Sequence, residues 1–288
     1  MAENTVESNG AGRTISSREL RQLIEEQGEV GFQLVDVRER NEYEVRHLPG
    51  ALHIPLGEIA ARAGEINPDL HTVFYCARGK RSALAVSMLK GLKDPNKLFS
   101  LEGGIEAWDG NTLPGFPRMS PFNTEGSLEQ IVLRAMDLEK GAERLYGALK
   151  EAFQGSVVSD TLQRLFDAEE GHAKLLFDLL PTDSGVGARP FAEVYAELKG
   201  NILENGESFD KAVERIKSVQ PGKRHLLLEL GVDMEYQAYD LYRNLAASIP
   251  NPAVKSALLE LATQETQHFR LALSALGQAV AESRRISG

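Results

Sequence analysis

The chain has 288 residues, a net charge of −10, 42% hydrophobic and 26% charged residues, and a single cysteine. That length predicts two domains, because single cores seldom grow past about 250–300 residues. One cysteine excludes an internal disulfide and any zinc or iron site built from several cysteines, and it fits a reducing, cytoplasmic setting; the acidic balance disfavours nucleic acid as a partner, and no apolar run approaches membrane-spanning length.

Residues 1–13, MAENTVESNGAGR, are polar with no apolar centre, which predicts a disordered tail and neither a signal peptide nor a membrane anchor. Ser16 and Glu19 form a capping-box signature that opens a helix through Leu20 and Leu23. The runs at 32–37, 72–75 and 97–101 are β-branched, aromatic and leucine-rich and read as buried strands. Strands separated by helices predict a parallel α/β sheet over residues 14–108, with ligands at the carboxyl ends of its strands. The only cysteine, Cys76, stands at such an end, in the stretch YCARGKRSA, between the strand at 72–75 and a helical run at 82–89. Arg78, Lys80 and Arg81 follow it within five positions. These cations and the positive end of the helix dipole favour the thiolate, the nucleophilic form. The competing reading of a free cysteine is a small buried core residue.

The Pro- and Gly-rich residues 109–126 read as a linker. Beyond residue 127 the period is helical, with long helices expected at 127–153, 157–180, 222–248 and 252–277 and a tail at 278–288. The interval 181–221 holds only short helical pieces. It reads as one long crossover between the second and third helices, the topology of an all-α, ferritin-like four-helix bundle.

This second half repeats itself at an offset of 96 residues. Asp137 and Glu139 map onto Asp233 and Glu235; Ala142, Leu145 and Tyr146 onto Ala238, Leu241 and Tyr242; Glu169 and His172 onto Glu265 and His268. Each half-repeat thus brings one Glu and one Glu-x-x-His, all on the apolar stripes of their helices. A lone Glu-x-x-His is commonly a surface pair, but four carboxylates at one level of a core would cost several kcal/mol each without compensating charge. Two divalent or trivalent metal ions supply it, and the set is that of di-iron carboxylate bundles. The i, i+3 spacing puts both ligands of each motif on one helix face. Tyr146 and Tyr242 read either as hydrogen-bonding neighbours of the cluster or as packed core aromatics. Glu143, Glu170 and Glu260 read as solvated or as outer neighbours of the cluster.

With these residues in view, both halves resemble known families. LVDVRERNEYEVRHLPGALHIPL at 34–56, YCARGKRS at 75–82 and LEGGIEAW at 101–108 resemble a single-domain rhodanese. That resemblance implies a sulfurtransferase in which Cys76 carries sulfur as a persulfide from thiosulfate or another sulfane donor to an external thiol. It implies that the backbone from Ala77 through Arg78, Gly79 and Lys80 to Ser82 cradles the sulfur group while Arg81 anchors the loop. It makes Asp36 and Arg38 scaffold, and it marks Arg46, where the family pattern has glycine, as a departure that alters a turn. Phosphatases of the same fold place Arg six positions after the cysteine; Ser82 stands there, so phosphatase chemistry is disfavoured. Residues 127–277 resemble rubrerythrin-like bundles. That implies two iron ions, not heme, at Glu139, Glu169, His172, Glu235, Glu265 and His268, acting on peroxide, oxygen or a sulfur species. The chain has no rubredoxin-type four-cysteine site, so the resemblance implies an external electron donor, and such bundles commonly pair as homodimers. A carrier of sulfur and iron without redox turnover, a sensor, and a rhodanese with a purely structural helical domain are the competing expectations.

Overall fold

The computed structural model describes residues 13–27, 32–108, 110, 112–113, 127–183, 185–220, 223–249 and 251–287. The tail predicted at 1–13 lies outside these except for Arg13, and the linker predicted at 109–126 lies largely outside them. The chain divides into two compact units, Met1–Phe116 and Pro117–Gly288.

The first unit runs β1 (Arg13–Ile15), α1 (Ser17–Gln27), β2 (Phe32–Asp36), α2 (Arg40–Val45), β3 (Ala51–His53), β4 (His71–Tyr75), α3 (Lys80–Leu89) and β5 (Leu98–Leu101). The strands form one sheet in the order β1-β5-β4-β2-β3, and every pairing is parallel. Parallel sheets are covered on both faces, so their strands are continuously apolar; accordingly every residue of β2 is buried. Before α1, the Glu19 carboxylate accepts from the Ser16 N–H and hydroxyl at 2.8 and 2.7 Å, and the Glu19 N–H returns a bond to Ser16 Oγ. This reciprocal pair satisfies donors that a helix start otherwise leaves free. Two three-residue strands, β1 and β3, add to the three the sequence predicts. Leu113, inside the predicted linker, is buried and pairs with His47. The ordered part of the first unit therefore continues past residue 108.

The second unit contains α4 (Leu128–Ala152), α5 (Ser159–Phe177), α6 (Phe191–Glu197), α7 (Phe209–Ser218), α8 (His225–Ser248) and α9 (Pro252–Ser287). α4 packs chiefly on α5 and α8 chiefly on α9, with α5 also on α9 and α4 also on α8. The core falls into two apolar clusters. One includes Val132 of α4, Leu176 of α5, Leu245 of α8 and Leu258 of α9; the other includes Leu149, Leu162, Leu228 and Ala275. Along α4 the first cluster precedes the second, along α5 and α8 it follows it, and along α9 it precedes it again. The directions are thus up, down, down, up, and the α5-to-α8 connection crosses the length of the unit. Glu139, Glu169, Glu235 and Glu265 each stand where their helix passes from one cluster to the other, so the two clusters sandwich a single polar layer.

The predicted tail at 278–288 is corrected: α9 continues to Ser287. Ala272, Ala275 and Ala279 prolong its buried stripe, while a Cβ at Gly277 would meet nothing. That glycine faces open space and does not end the helix. Among the described residues no helix is long and apolar enough to cross a membrane.

Candidate functional site

Cys76 follows the last residue of β4 and is 2% exposed. The loop from Ala77 to Gly79 returns the chain to the start of α3 and points donors at the sulfur. The Gly79 N–H donates to Sγ at 3.1 Å and the Ser82 hydroxyl lies 3.6 Å away. Ser82 Oγ is itself held 2.8 Å from Ser100 Oγ of β5. Gly79 has φ of 87°, a left-handed conformation that favours glycine. The LEGG stretch braces the loop from behind: the N–H groups of Ile105 and Glu106 donate to the carbonyls of Cys76 and Ala77 at 2.8 and 3.1 Å. Gly104 permits this approach, since a Cβ there would lie 2.3 Å from the Cys76 carbonyl oxygen.

The electrostatics add backbone donors to the side-chain cations expected to hold the thiolate. Burial pushes the Cys76 thiol up, but the Ser82 N–H and hydroxyl and the N–H groups of Arg78 and Gly79 outweigh it, and the thiol lies below its ordinary value. Backbone amides and the Ser82 hydroxyl lead the effect, and the Arg81 guanidinium also interacts with the sulfur. The Arg78 side chain is exposed and pairs with Glu106 at 2.8 Å, and Lys80 is exposed at the first position of α3. Arg81 commits both terminal nitrogens to Glu42 of α2 at 2.6 and 2.7 Å. That bidentate pair ties α3 to α2 and fixes where the loop ends. Alkylation of Cys76 by iodoacetamide, read by mass, is expected to show a pH midpoint below that of free cysteine. Below that midpoint the thiolate is protonated and the rate falls. A midpoint at or above the free-thiol value would contradict the amide cradle.

Asp36 and Arg38 form a buried pair at 2.6 Å, and Arg38 also donates to the Arg46 carbonyl at 2.6 Å. This joins the end of β2 to the end of α2 and does not touch Cys76. Arg46 has φ of −167° and ψ of 146°. That is extended backbone open to any residue, so replacing the family's glycine forces no change in the turn.

In the second unit all six residues predicted as metal ligands are buried in the polar layer. His172 Nδ1 lies 3.1 Å from Glu139 Oε2, 3.4 Å from Glu169 Oε2 and 3.0 Å from Glu265 Oε1. His268 Nδ1 lies 3.6 Å from Glu235 Oε2, 3.5 Å from Glu265 Oε2 and 3.9 Å from Glu169 Oε1. Glu169 and Glu265 thus face both histidines, whereas Glu139 faces His172 and Glu235 faces His268. The imidazole rings stack at 4.8 Å. Each tyrosine bonds the glutamate of the other repeat: Tyr146 OH donates to Glu235 and Tyr242 OH contacts Glu139. Glu143 lies outside the layer and accepts from Tyr195, and Glu170 and Glu260 are exposed.

The sequence reading missed a fifth carboxylate. Glu204 is buried between α6 and α7, and Tyr242 OH contacts its Oε1 at 2.9 Å. The segment carrying it docks on α4. The Lys199 and Gly200 N–H groups donate to Asp137 Oδ1 at 2.9 Å each, and a Cβ at Gly141 would stand 2.5 Å from the Ile202 carbonyl oxygen. The sequence signal for this close approach is Gly141 itself, a mid-helix glycine whose repeat partner is Gln237.

Five carboxylates and two imidazoles in one layer carry excess negative charge. Burial pushes Glu169 up to about 8 and Glu204 and Glu235 well above the carboxylate range. The carboxylates hold His268 at about 11 against the opposing effect of burial. Glu169 Oε1, His172 Nε2, Glu235 Oε2 and His268 Nδ1 are buried without a hydrogen-bond partner. Buried polar atoms are ordinarily satisfied, so orphans converging from three helices fit a cation site. Two groupings have ligand atoms within 4.8 Å of one another: Glu169, His172, Glu265 and His268, and Glu139, Glu204 and Glu265. Carboxylate and imidazole donors without thiolate suit iron, manganese and other first-row ions.

In the first unit the central strand of a parallel sheet delivers a buried cysteine into a ring of amide donors. Residues 16–111 match the rhodanese-like domain family, and through this unit the chain belongs to that family. Its relatives include YrkF of Bacillus subtilis (strain 168), described as a candidate sulfur carrier protein. It is 34% identical over 112 residues, which is 38% of this chain and 58% of YrkF. YtwF of the same organism, described as a candidate sulfurtransferase, is 35% identical over 103 residues, 35% of this chain and 95% of YtwF. Among solved structures, the human single-domain sulfurtransferase TSTD1 is 30% identical, covering 32% of this chain and 88% of that one, at a TM-score of 0.27.

Proposed function

We propose that the chain is a sulfurtransferase that carries sulfane sulfur on Cys76, joined to a ferritin-like bundle that holds two iron ions. The sulfur half rests on the donors around Sγ. They favour the thiolate, and after transfer they suit an anionic persulfide. In the reaction, the Cys76 thiolate attacks the outer sulfur of thiosulfate. The sulfur–sulfur bond breaks, sulfite leaves with the electron pair, and Cys76 becomes a persulfide. An external thiolate then attacks the terminal sulfur, takes it as its own persulfide and restores the Cys76 thiolate. Arg81, through Glu42, and Gly104, through the Cys76 carbonyl, position the loop in both steps.

The bundle half rests on the orphaned atoms of the polar layer. Glu139 and His172 would hold one ion and Glu235 and His268 the other, with Glu169 and Glu265 between them. When bound, two irons supply paired one-electron redox changes, suited to reducing peroxide or oxidising a sulfur species. Tyr146 and Tyr242 fix the orientations of Glu235 and Glu139, and the two apolar clusters exclude water from the layer. With one cysteine in the chain, no rubredoxin-type relay accompanies the bundle, so an external electron donor belongs to this reading. Protein purified anaerobically without added metal is expected to hold about two irons per chain by elemental analysis. A bundle that holds no metal and takes up no added ferrous iron would refute this half and leave the sulfur half standing.

A further inference from the structure

The internal duplication gives each member of the polar layer a counterpart 96 residues away, with one exception. Glu139 pairs with Glu235, Tyr146 with Tyr242, Glu169 with Glu265 and His172 with His268. Glu204 lies in the connection between the repeats and has no counterpart.

A built structure delivers it. The segment is fixed to α4 through Asp137 and Gly141, as described above. Beyond it, a tight turn closes with the Leu203 N–H on the Glu207 carbonyl at 2.8 Å and the Gly206 N–H on the Leu203 carbonyl at 2.7 Å. Asn205 Oδ1 accepts from the Glu207 N–H at 2.9 Å, and Gly206 supplies the left-handed φ of 76°. The turn is held at both ends, and the side chain it presents is a buried carboxylate.

Glu204 joins one side of the layer only. Its ligand atoms group with those of Glu139 and Glu265, and it shares Tyr242 OH with Glu139. A phenol has one proton to donate, so Tyr242 OH cannot donate to both carboxyl groups at once. On the opposite side Tyr146 serves Glu235. Glu265 Oε1 faces His172 Nδ1 at 3.0 Å, and the buried Glu265 brings a third carboxylate to the Glu204 grouping. Three buried carboxyl groups converging beside one phenol and one imidazole suit a cation at that point. Unpartnered atoms also stand on the other side, at Glu235 and His268, so the two sides differ in carboxylate number.

We propose that Glu204 is a seventh metal ligand, confined to the Glu139–His172 side, and that it makes the two metal positions unequal, so that this side takes the first ion. The proposal rests on the reading of the layer as a two-metal centre. An added carboxylate raises the charge and the ligand number of one position, the two quantities that set affinity for hard cations.

Anaerobic titration of the metal-free full-length chain with cobalt(II), followed by absorption and calorimetry, tests it. The wild type is expected to bind two ions in two resolved steps. In Glu204→Gln the tighter step is expected to weaken by about tenfold or more, with the other within about threefold. Glutamine keeps the size of the side chain and a carbonyl for Tyr242. Crystals of the wild type soaked with one equivalent of cobalt(II) give a second readout that needs no variant: anomalous density is expected beside Glu139, His172 and Glu204. Unchanged affinities in Glu204→Gln, or first density beside Glu235 and His268, would overturn the proposal while leaving the two-metal reading intact. A wild-type chain that binds no cobalt(II) or iron(II) would overturn both.

Discussion

Replacing Cys76 with serine is expected to abolish sulfur transfer from thiosulfate to cyanide or a thiol, lowering kcat/KM by about 10³-fold or more, while leaving the fold in place. The size follows from the chemistry. The donors around residue 76 stabilise a thiolate, but a serine hydroxyl in the same cradle stays protonated at neutral pH, and its oxygen cannot hold sulfane sulfur as a persulfide. No other residue can substitute, because the chain has one cysteine. The fold tolerates the change because serine is close in size and the Gly79 N–H that donates to Sγ can donate to a hydroxyl. A shift in melting temperature of no more than about 2–4 °C is therefore expected. Metal content should be untouched, since the layer lies in the other unit. Retention of even a tenth of the wild-type rate would mean that the sulfur travels by another route.

What could be read from the sequence depended on whether the signal was periodic or local. The central strands and the long helices announce themselves through runs and stripes, and the polar layer does so because a duplication displays each of its members twice. β1 and β3 were not legible, because three residues carry no alternation and their strand character comes from pairing with β5 and β2. The basic residues after Cys76 drew attention to the right loop for an incomplete reason. Arg78 is engaged with Glu106. Arg81 pairs with Glu42 while also interacting with the sulfur, and the leading donors to the sulfur include backbone N–H groups, which no composition reveals. Glu204 escaped for a related reason. It belongs to neither repeat nor helix, and its position depends on glycines at 141 and 200 that let two backbones meet.

The second large effect is a reversal of stability order in Glu169→Gln. Without metal, the wild type buries more carboxylates than its two histidines can neutralise, and Glu169 Oε1 has no hydrogen-bond partner. Burial pushes the Glu169 carboxyl up to about 8, so near neutral pH glutamine replaces one neutral group by another. At pH above that value it avoids a buried charge, a change often neutral or stabilising by about 1–4 kcal/mol. The metal-free variant should therefore melt as high as the metal-free wild type near neutral pH and higher above about pH 8, by up to about 10 °C for a unit of this size. With metal the order inverts. Ions that bind only the folded state at about a thousand times their dissociation constant add about 4 kcal/mol. Glu169, which faces both histidines, is needed for both ions, so the variant forgoes that gain. Far-UV circular dichroism of the helical transition, with excess chelator and then with excess manganese(II) or iron(II), reads both orders. If metal raises the two proteins equally, Glu169 is not a ligand. If the metal-free variant melts far below the metal-free wild type, the layer is a self-sufficient polar network whose carboxylates are satisfied by the protein alone. The predicted crossing follows from the proposed reading of the layer as a cation site: the interactions that make it costly when empty would be those that hold the metal.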